Sequence, residues 1–183
     1  MKKYLILHGY NGSSEGHWQH FLYNDLKSLN KKVYFPQFPN NNNPNLEKWI
    51  NYLHKFRNKI DENTVIIAHS MGVILWLHYI NKYNNIKVKK IILVAPPSNE
   101  FLLNNENIVS FANFNLNGNL LKNISKDNLL IASTNDEYCI ETAKEVFVKP
   151  LEINYLELPP KAGHINIKSG YGKWNDILNI TLI

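Results

Sequence analysis

Cysteine is almost missing from this chain of 183 residues. Cys139 stands alone, so no intramolecular disulfide can form and no cysteine-based zinc site can be built. A lone thiol suits a reducing compartment. Long apolar runs are missing too. The stretch Met1–Leu7 opens like a signal peptide, but its apolar run stops at His8-Gly9, too early for such a segment. No stretch approaches the roughly 20 apolar residues that span a bilayer. The expectation is a soluble cytoplasmic protein that does not engage membranes. Charge of one sign is not concentrated either. The net charge is +5, and only Lys87, Lys89 and Lys90 group together, so the chain lacks the basic stripe of a nucleic-acid binder.

What is present is a regular alternation. Short β-type runs at Tyr4–Leu7, Lys32–Phe35, Thr64–Ala68, Lys90–Val94, Leu129–Ser133 and Ile153–Leu158 are interleaved with helical patterns at Trp18–Leu29, Leu46–Ile60, Val73–Tyr83, Ile140–Val148 and Trp174–Ile180. Thr64–Ala68 is continuously apolar or β-branched, as a strand buried on both faces should be. Val73–Tyr83 is apolar almost all round and predicts a helix in the middle of the domain. The Asn40–Asn43 run reads as a surface loop. Residues 95–126 are poorly patterned and predict one or two short helices. With no repeat and no linker, the alternation predicts a single α/β domain over residues 1–183, a three-layer α/β/α sandwich on a mostly or fully parallel sheet of about six strands. Such sheets place their sites at the carboxyl ends of the strands.

Those ends carry the chemistry. Ala68-His69-Ser70-Met71-Gly72 joins the buried strand to the buried helix. A serine at the tip of such a sharp turn is strained and exposed for attack, and its neighbours two positions away must be small. Gly72 and Ala68 meet that demand, although glycine is the usual residue at both positions. Taken alone the string is a weak signal and fits a helix N-cap serine better. A serine hydroxyl needs a base, and the base needs a third group to hold its tautomer. Asp136 follows the fifth strand, with Glu137 and Glu141 as competitors. His164, behind Gly163 in the loop after the sixth strand, is the one histidine beyond Asp136. Serine, aspartate, histidine is also the chain order of α/β hydrolases. His8-Gly9-Tyr10-Asn11-Gly12 follows the first strand, so the backbone amides of Tyr10 and Met71 are the expected oxyanion donors.

Other features carry less. The Gly-rich turn lacks the Lys-Ser/Thr ending of a phosphate loop. His17 and His20 have no acidic third ligand at a matching step, so neither a metal nor another cofactor is expected. Trp18, Trp49, Trp76 and Trp174 read as core or cleft-wall residues, and Cys139 as an inert thiol.

Along nearly its whole length the chain resembles the retinoblastoma-binding-protein-9/YdeN family of small serine hydrolases within the α/β-hydrolase superfamily. The resemblance runs through His8-Gly9-Tyr10 with Gly16-His17-Trp18, Phe35-Pro36 with Pro39 and Trp49, and Ala68-His69-Ser70-Met71-Gly72. It continues through Val94-Ala95-Pro96-Pro97, Ser133-Thr134-Asn135-Asp136, Gly163-His164 and Ser169-Gly170-Tyr171-Gly172-Lys173-Trp174, the last being similar to bacterial members. It implies a minimal α/β hydrolase without a large lid, a triad of Ser70, Asp136 and His164, and esterase-like or aminopeptidase-like action on small acyl substrates. The vertebrate branch binds its partner through Leu-x-Cys-x-Glu. Here the string is Glu137-Tyr138-Cys139-Ile140-Glu141, and the missing leucine removes that partner from expectation. Hydrolysis of a small ester, thioester or amide is the leading reading. A weakly active binding or scaffold protein on the same fold, or an acyltransferase, are the alternatives.

Overall fold

A computed structural model of the chain describes residues 1–139 and 141–183. Six strands form one sheet: β1 (Lys3–Leu7), β2 (Lys32–Tyr34), β3 (Thr64–His69), β4 (Lys90–Val94), β5 (Asn128–Ser133) and β6 (Asn154–Leu158). Their order is β2-β1-β3-β4-β5-β6 and every pairing is parallel. The order reverses at β1, so β1 and β3 lie side by side and bring the loops after them together. That is the switch point where ligands bind in open parallel sheets.

The layers follow from the period of two along each strand. Tyr4 and Ile6, Val65 and Ile67, and Ile92 and Val94 face one side, where α1 (Trp18–Ser28) and α7 (Asn175–Leu182) cover them with Trp18, Leu22, Leu26 and Ile177. Leu5 and Leu7, Ile66 and Ala68, and Ile91 and Leu93 face the other side. There α2 (Leu46–His54) and α3 (Met71–Lys82) supply Trp49, Ile50, Leu53 and the apolar length of α3. Each fully buried Leu, Ile or Val side chain contributes roughly 1.5–3 kcal/mol. The central β3–α3 unit, continuously buried from Thr64 to Leu77, is therefore the stiffest platform in the fold. No large lid covers the carboxyl edge of the sheet among the described residues.

Two segments differ from expectation. The second helix stops at His54, because the amides of Lys55, Phe56, Lys59 and Ile60 bond three residues back and tighten the chain into a 3-10 turn. That turn delivers Ile60 to the core ahead of β3. The helix expected over 140–148 is a wide π-type turn at Lys144–Val148, followed by one short turn, α6 (Lys149–Leu151). Pro150 explains this: it has no amide to donate, and its ring crowds the preceding turn. Ile140 lies outside the described residues. The poorly patterned 95–126 segment holds α4 (Asn99–Leu103), a 3-10 turn at Val109–Phe111, and α5 (Gly118–Ile124). Ser98 and Asn117 cap the two helices, accepting from the amides of Phe101 and Leu120 at 3.2 and 2.9 Å.

Candidate active site

Ser70 sits between β3 and α3 at φ 53°, ψ −124°, a backbone conformation that costs a non-glycine residue about 1–3 kcal/mol. Packing sustains the strain. A Cβ on Gly72 would lie 2.4 Å from the Leu7 carbonyl oxygen and 2.8 Å from that of His8. Both are backbone atoms of the neighbouring β1 segment, which cannot yield. Gly72→Ala is therefore expected to destabilise the protein by about 3 kcal/mol or more, read as a fall in the urea midpoint. An unchanged midpoint would show that the turn is looser than this packing requires. Gly9 is close in the same sense: a Cβ there would stand 2.8 Å from the Ser70 Cβ. Glycine lets the loop after β1 approach the serine.

The chain's three chemically expected side chains are brought together, all nearly buried. Ser70 Oγ lies 2.8 Å from His164 Nε2. On the other side of the ring, His164 Nδ1 donates to Asp136, 2.8 Å from Oδ2 and 3.0 Å from Oδ1. A carboxylate only accepts, so this contact sets the tautomer: the proton rides on Nδ1, and Nε2 is free to accept from the serine. Asp136 Oδ1 also accepts from the Tyr138 amide at 2.9 Å. The competitor Glu137 turns to the surface and pairs with Lys168 at 3.1 Å. Met71 follows Ser70 directly and Tyr10 lines the same cavity as both, and neither amide has a hydrogen-bond partner among the described residues. The Met71 amide is the first of α3, where the helix dipole favours negative charge.

Several residues that hold this arrangement carried no role in the sequence reading. Ser133 Oγ donates to the Gly163 carbonyl at 2.6 Å, and Asn135 Oδ1 accepts from the Gly163 amide at 3.0 Å. The end of β5 thus grips both backbone groups of the residue before His164, with Gly163 itself at φ +50°. The Trp18 indole donates to the Ile165 carbonyl at 2.9 Å, and His69 Nε2 donates to the His164 carbonyl at 3.0 Å. The only sequence signal for these was position: each lies in or beside a quoted motif. His17 and His20 do not converge on a cation site, and no cluster of three potential metal ligands exists among the described residues.

Three histidines at this end of the sheet, His8, His17 and His69, are held neutral. His8 accepts from the Phe38 amide at Nε2 and donates from Nδ1 to the Gly9 carbonyl, and burial lowers its pKa. His69 is pushed well below 6.5 by burial, then by His164 and His17. His17, whose Nδ1 caps α1 by accepting from Gln19, is lowered to about 4 by burial, then by His164 and His8. An unfolded histidine takes up its proton near 6.5, so the unfolded chain binds more protons than the folded one below that pH. Stability is therefore full above about 6.5 and falls with acidification, the share of His17 being lost by about 4. His17 alone accounts for about 3 kcal/mol of that loss. Urea unfolding at pH 7, 5 and 4 should show a shallower loss in His17→Asn, which keeps a capping oxygen. An equal loss in both proteins would remove His17 from the account. Cys139 is buried and its thiol pushed up to about 12 by burial first, then by Asp136 and Glu141. It is an unreactive thiol.

The sheet order, the strained serine turn at the carboxyl end of β3 and the loops converging on it define an α/β hydrolase. The serine hydrolase family model matches residues 4–181, and the chain belongs to that family. Among individual relatives it is similar to YdeN of Bacillus subtilis (strain 168), 35% identical over 71 residues, which is 39% of this chain and 37% of that relative's length. The crystal structure of the B. subtilis ydeN gene product superposes with a TM-score of 0.83 at 23% identity, covering 98% of this chain and 96% of that one. A YdeN-like protein from Pectobacterium atrosepticum gives 0.72 at 18% identity, covering 98% and 88%. Est1E from Butyrivibrio proteoclasticus gives 0.70 at 14%, covering 99% and 87%. The chain is thus a small member of the serine hydrolase family, and its fold is like that of the YdeN structure.

Proposed function

We propose that this hydrolase cleaves small ester, thioester or amide substrates through an acyl-enzyme on Ser70. The observation that carries this reading is the continuous Ser70–His164–Asp136 chain of hydrogen bonds, with the serine strained at a helix N-terminus. Ser70 Oγ attacks the carbonyl carbon while His164 Nε2 takes its proton. The tetrahedral oxyanion settles against the Tyr10 and Met71 amides, each such donor being worth about 10²–10³ in kcat. His164 then protonates the departing alcohol, thiol or amine. Water enters, gives its proton to His164, attacks the acyl carbon and releases the acid, and Ser70 regains its proton. Asp136 holds the ring and stabilises the imidazolium without taking a proton. No step calls for a metal or cofactor. The single buried thiol fits action in the cytoplasm, and no helix among the described residues is long and apolar enough to cross a membrane.

A fluorophosphonate probe, read by intact mass and peptide mapping, tests the reading. One adduct located on Ser70 is expected. A folded protein that takes up no probe would overturn it in favour of a binding role for the same fold.

A further inference from the structure

Gln19, in the first turn of α1, is a wholly buried polar side chain that takes no part in the mechanism above. It lines neither cavity beside Ser70. Burying a primary amide is costly unless its donor and its acceptor are both met. Both are met, and by the two ends of one loop. Nε2 donates to the carbonyl of Leu7, the last residue of β1, at 2.9 Å, and Oε1 accepts from Ser13 Oγ at 2.6 Å. The side chain thus braces residues 8–13 between the end of β1 and the approach to α1.

The braced loop is the one that carries the Tyr10 amide. Its internal contacts leave that amide over. The Asn11 amide donates to the Asn41 carbonyl at 2.8 Å, and the Gly12 amide to the Gly9 carbonyl at 3.2 Å. His8 Nδ1 donates to the same Gly9 carbonyl at 2.8 Å. The Gly9 C=O and the Tyr10 N–H belong to one planar trans peptide and point in opposite directions. Holding that carbonyl within the loop therefore turns the Tyr10 N–H away from it. These contacts set the direction of the donor, not its distance from Ser70. The distance depends on where the whole loop rests, and Gln19 holds the loop at both ends. One of those ends abuts the serine turn itself: the Leu7 carbonyl oxygen is the atom that a Cβ on Gly72 would meet at 2.4 Å.

Resting on the reading of Ser70 and the Tyr10 amide above, we propose that Gln19 is a positioning residue for the oxyanion donor. It holds the Tyr10 amide at the distance from Ser70 where charge develops on the substrate's carbonyl oxygen. A primary amide suits this task because it donates to a carbonyl and accepts from a hydroxyl without bringing a charge into the core. A glutamate would set a carboxylate oxygen against the Leu7 carbonyl. A methionine keeps the length and loses both bonds.

The test compares a p-nitrophenyl ester with its thiono counterpart, in which sulfur replaces the carbonyl oxygen. Sulfur accepts hydrogen bonds weakly, so the thiono ester gains less from the donor. Attack by Ser70 and proton transfer through His164 are common to both esters. In Gln19→Met the oxo-to-thiono ratio of kcat/KM is expected to fall about tenfold or more, since a donor displaced by about 1 Å can cost about 10²-fold. The fall should lie in kcat of the oxo ester with KM nearly unmoved, because the interaction is made in the transition state. Ser13→Ala removes one half of the brace at a half-buried position, and the ratio should fall about threefold. Ser13→Thr keeps a hydroxyl and should restore it. The ratio does not depend on the fraction of a variant that folds. A brace that only supports the fold would leave it at the wild-type value in both Gln19→Met and Ser13→Ala, and that result overturns the proposal. If the wild type takes up the fluorophosphonate on Ser70 while the ratio stays fixed, the role of Gln19 alone falls. If the wild type is not labelled, the reading beneath it falls too.

Discussion

Ser70→Ala is expected to lower kcat/KM toward any acyl substrate by about 10⁴–10⁶-fold, with the fold intact. The loss is that large because one atom serves two functions. In the proposed mechanism Oγ is the nucleophile, and it is also the group that hands its proton to His164 across 2.8 Å. On the same proposal the residual rate comes from the Tyr10 and Met71 amides acting on attack by water. A second substitution separates chemistry from structure. Ser70→Gly is equally inactive, but glycine adopts φ 53° without the strain that serine or alanine bears. It should therefore be more stable than Ser70→Ala by about 1 kcal/mol, or about 2–4 °C in Tm for a domain of this size. Turnover surviving in Ser70→Ala would remove the nucleophile. Equal Tm values for the two variants would remove the strain while leaving the nucleophile in place.

Much of this arrangement was legible before the structure, for identifiable reasons. The parallel sheet was readable because its central strands are apolar on both faces, so Ile66-Ile67-Ala68 and Ile91-Ile92-Leu93 stand out as runs. The serine turn was readable because the packing of Gly72 against the β1 backbone admits no side chain. The order of Ser70, Asp136 and His164 was readable because a fixed sheet order leaves few strand ends from which a base and an acid can reach the serine. What escaped has equally specific causes. The pattern predicts a second helix longer than the one present because Lys55–Lys59 carries no helix breaker, and tertiary need turns the chain early. The pattern over 140–148 predicts a helix because Val146 and Phe147 hold apolar spacing, while Pro150, which opens the turn, lies beyond that stretch. The supports of His164 escaped because Trp18, His69, Ser133 and Asn135 act on its loop through backbone groups far away in sequence. Such contacts leave no period or motif spacing to detect.

Asp136→Asn is the second large effect, and the network around the carboxylate sets its direction. The Tyr138 amide donates to Oδ1, and an asparagine side chain must present its oxygen there, since its nitrogen would set donor against donor. The new amide nitrogen then takes the Oδ2 position, 2.8 Å from His164 Nδ1. Nδ1 can only accept from it, so the ring proton moves to Nε2. The imidazole then faces Ser70 with a donor where an acceptor is required. The geometry survives while the tautomer is wrong, and kcat is expected to fall about 10⁴-fold. Probe labelling at Ser70 should slow by a similar factor, because it depends on the same proton transfer. Stability should change little by comparison, the shape and one hydrogen bond being kept. A fall in kcat of less than tenfold, with Tm lowered by many degrees, would instead make Asp136 a structural anchor of the loop after β5. His164 would then need its orientation from the grip of Ser133 and Asn135 on Gly163 alone.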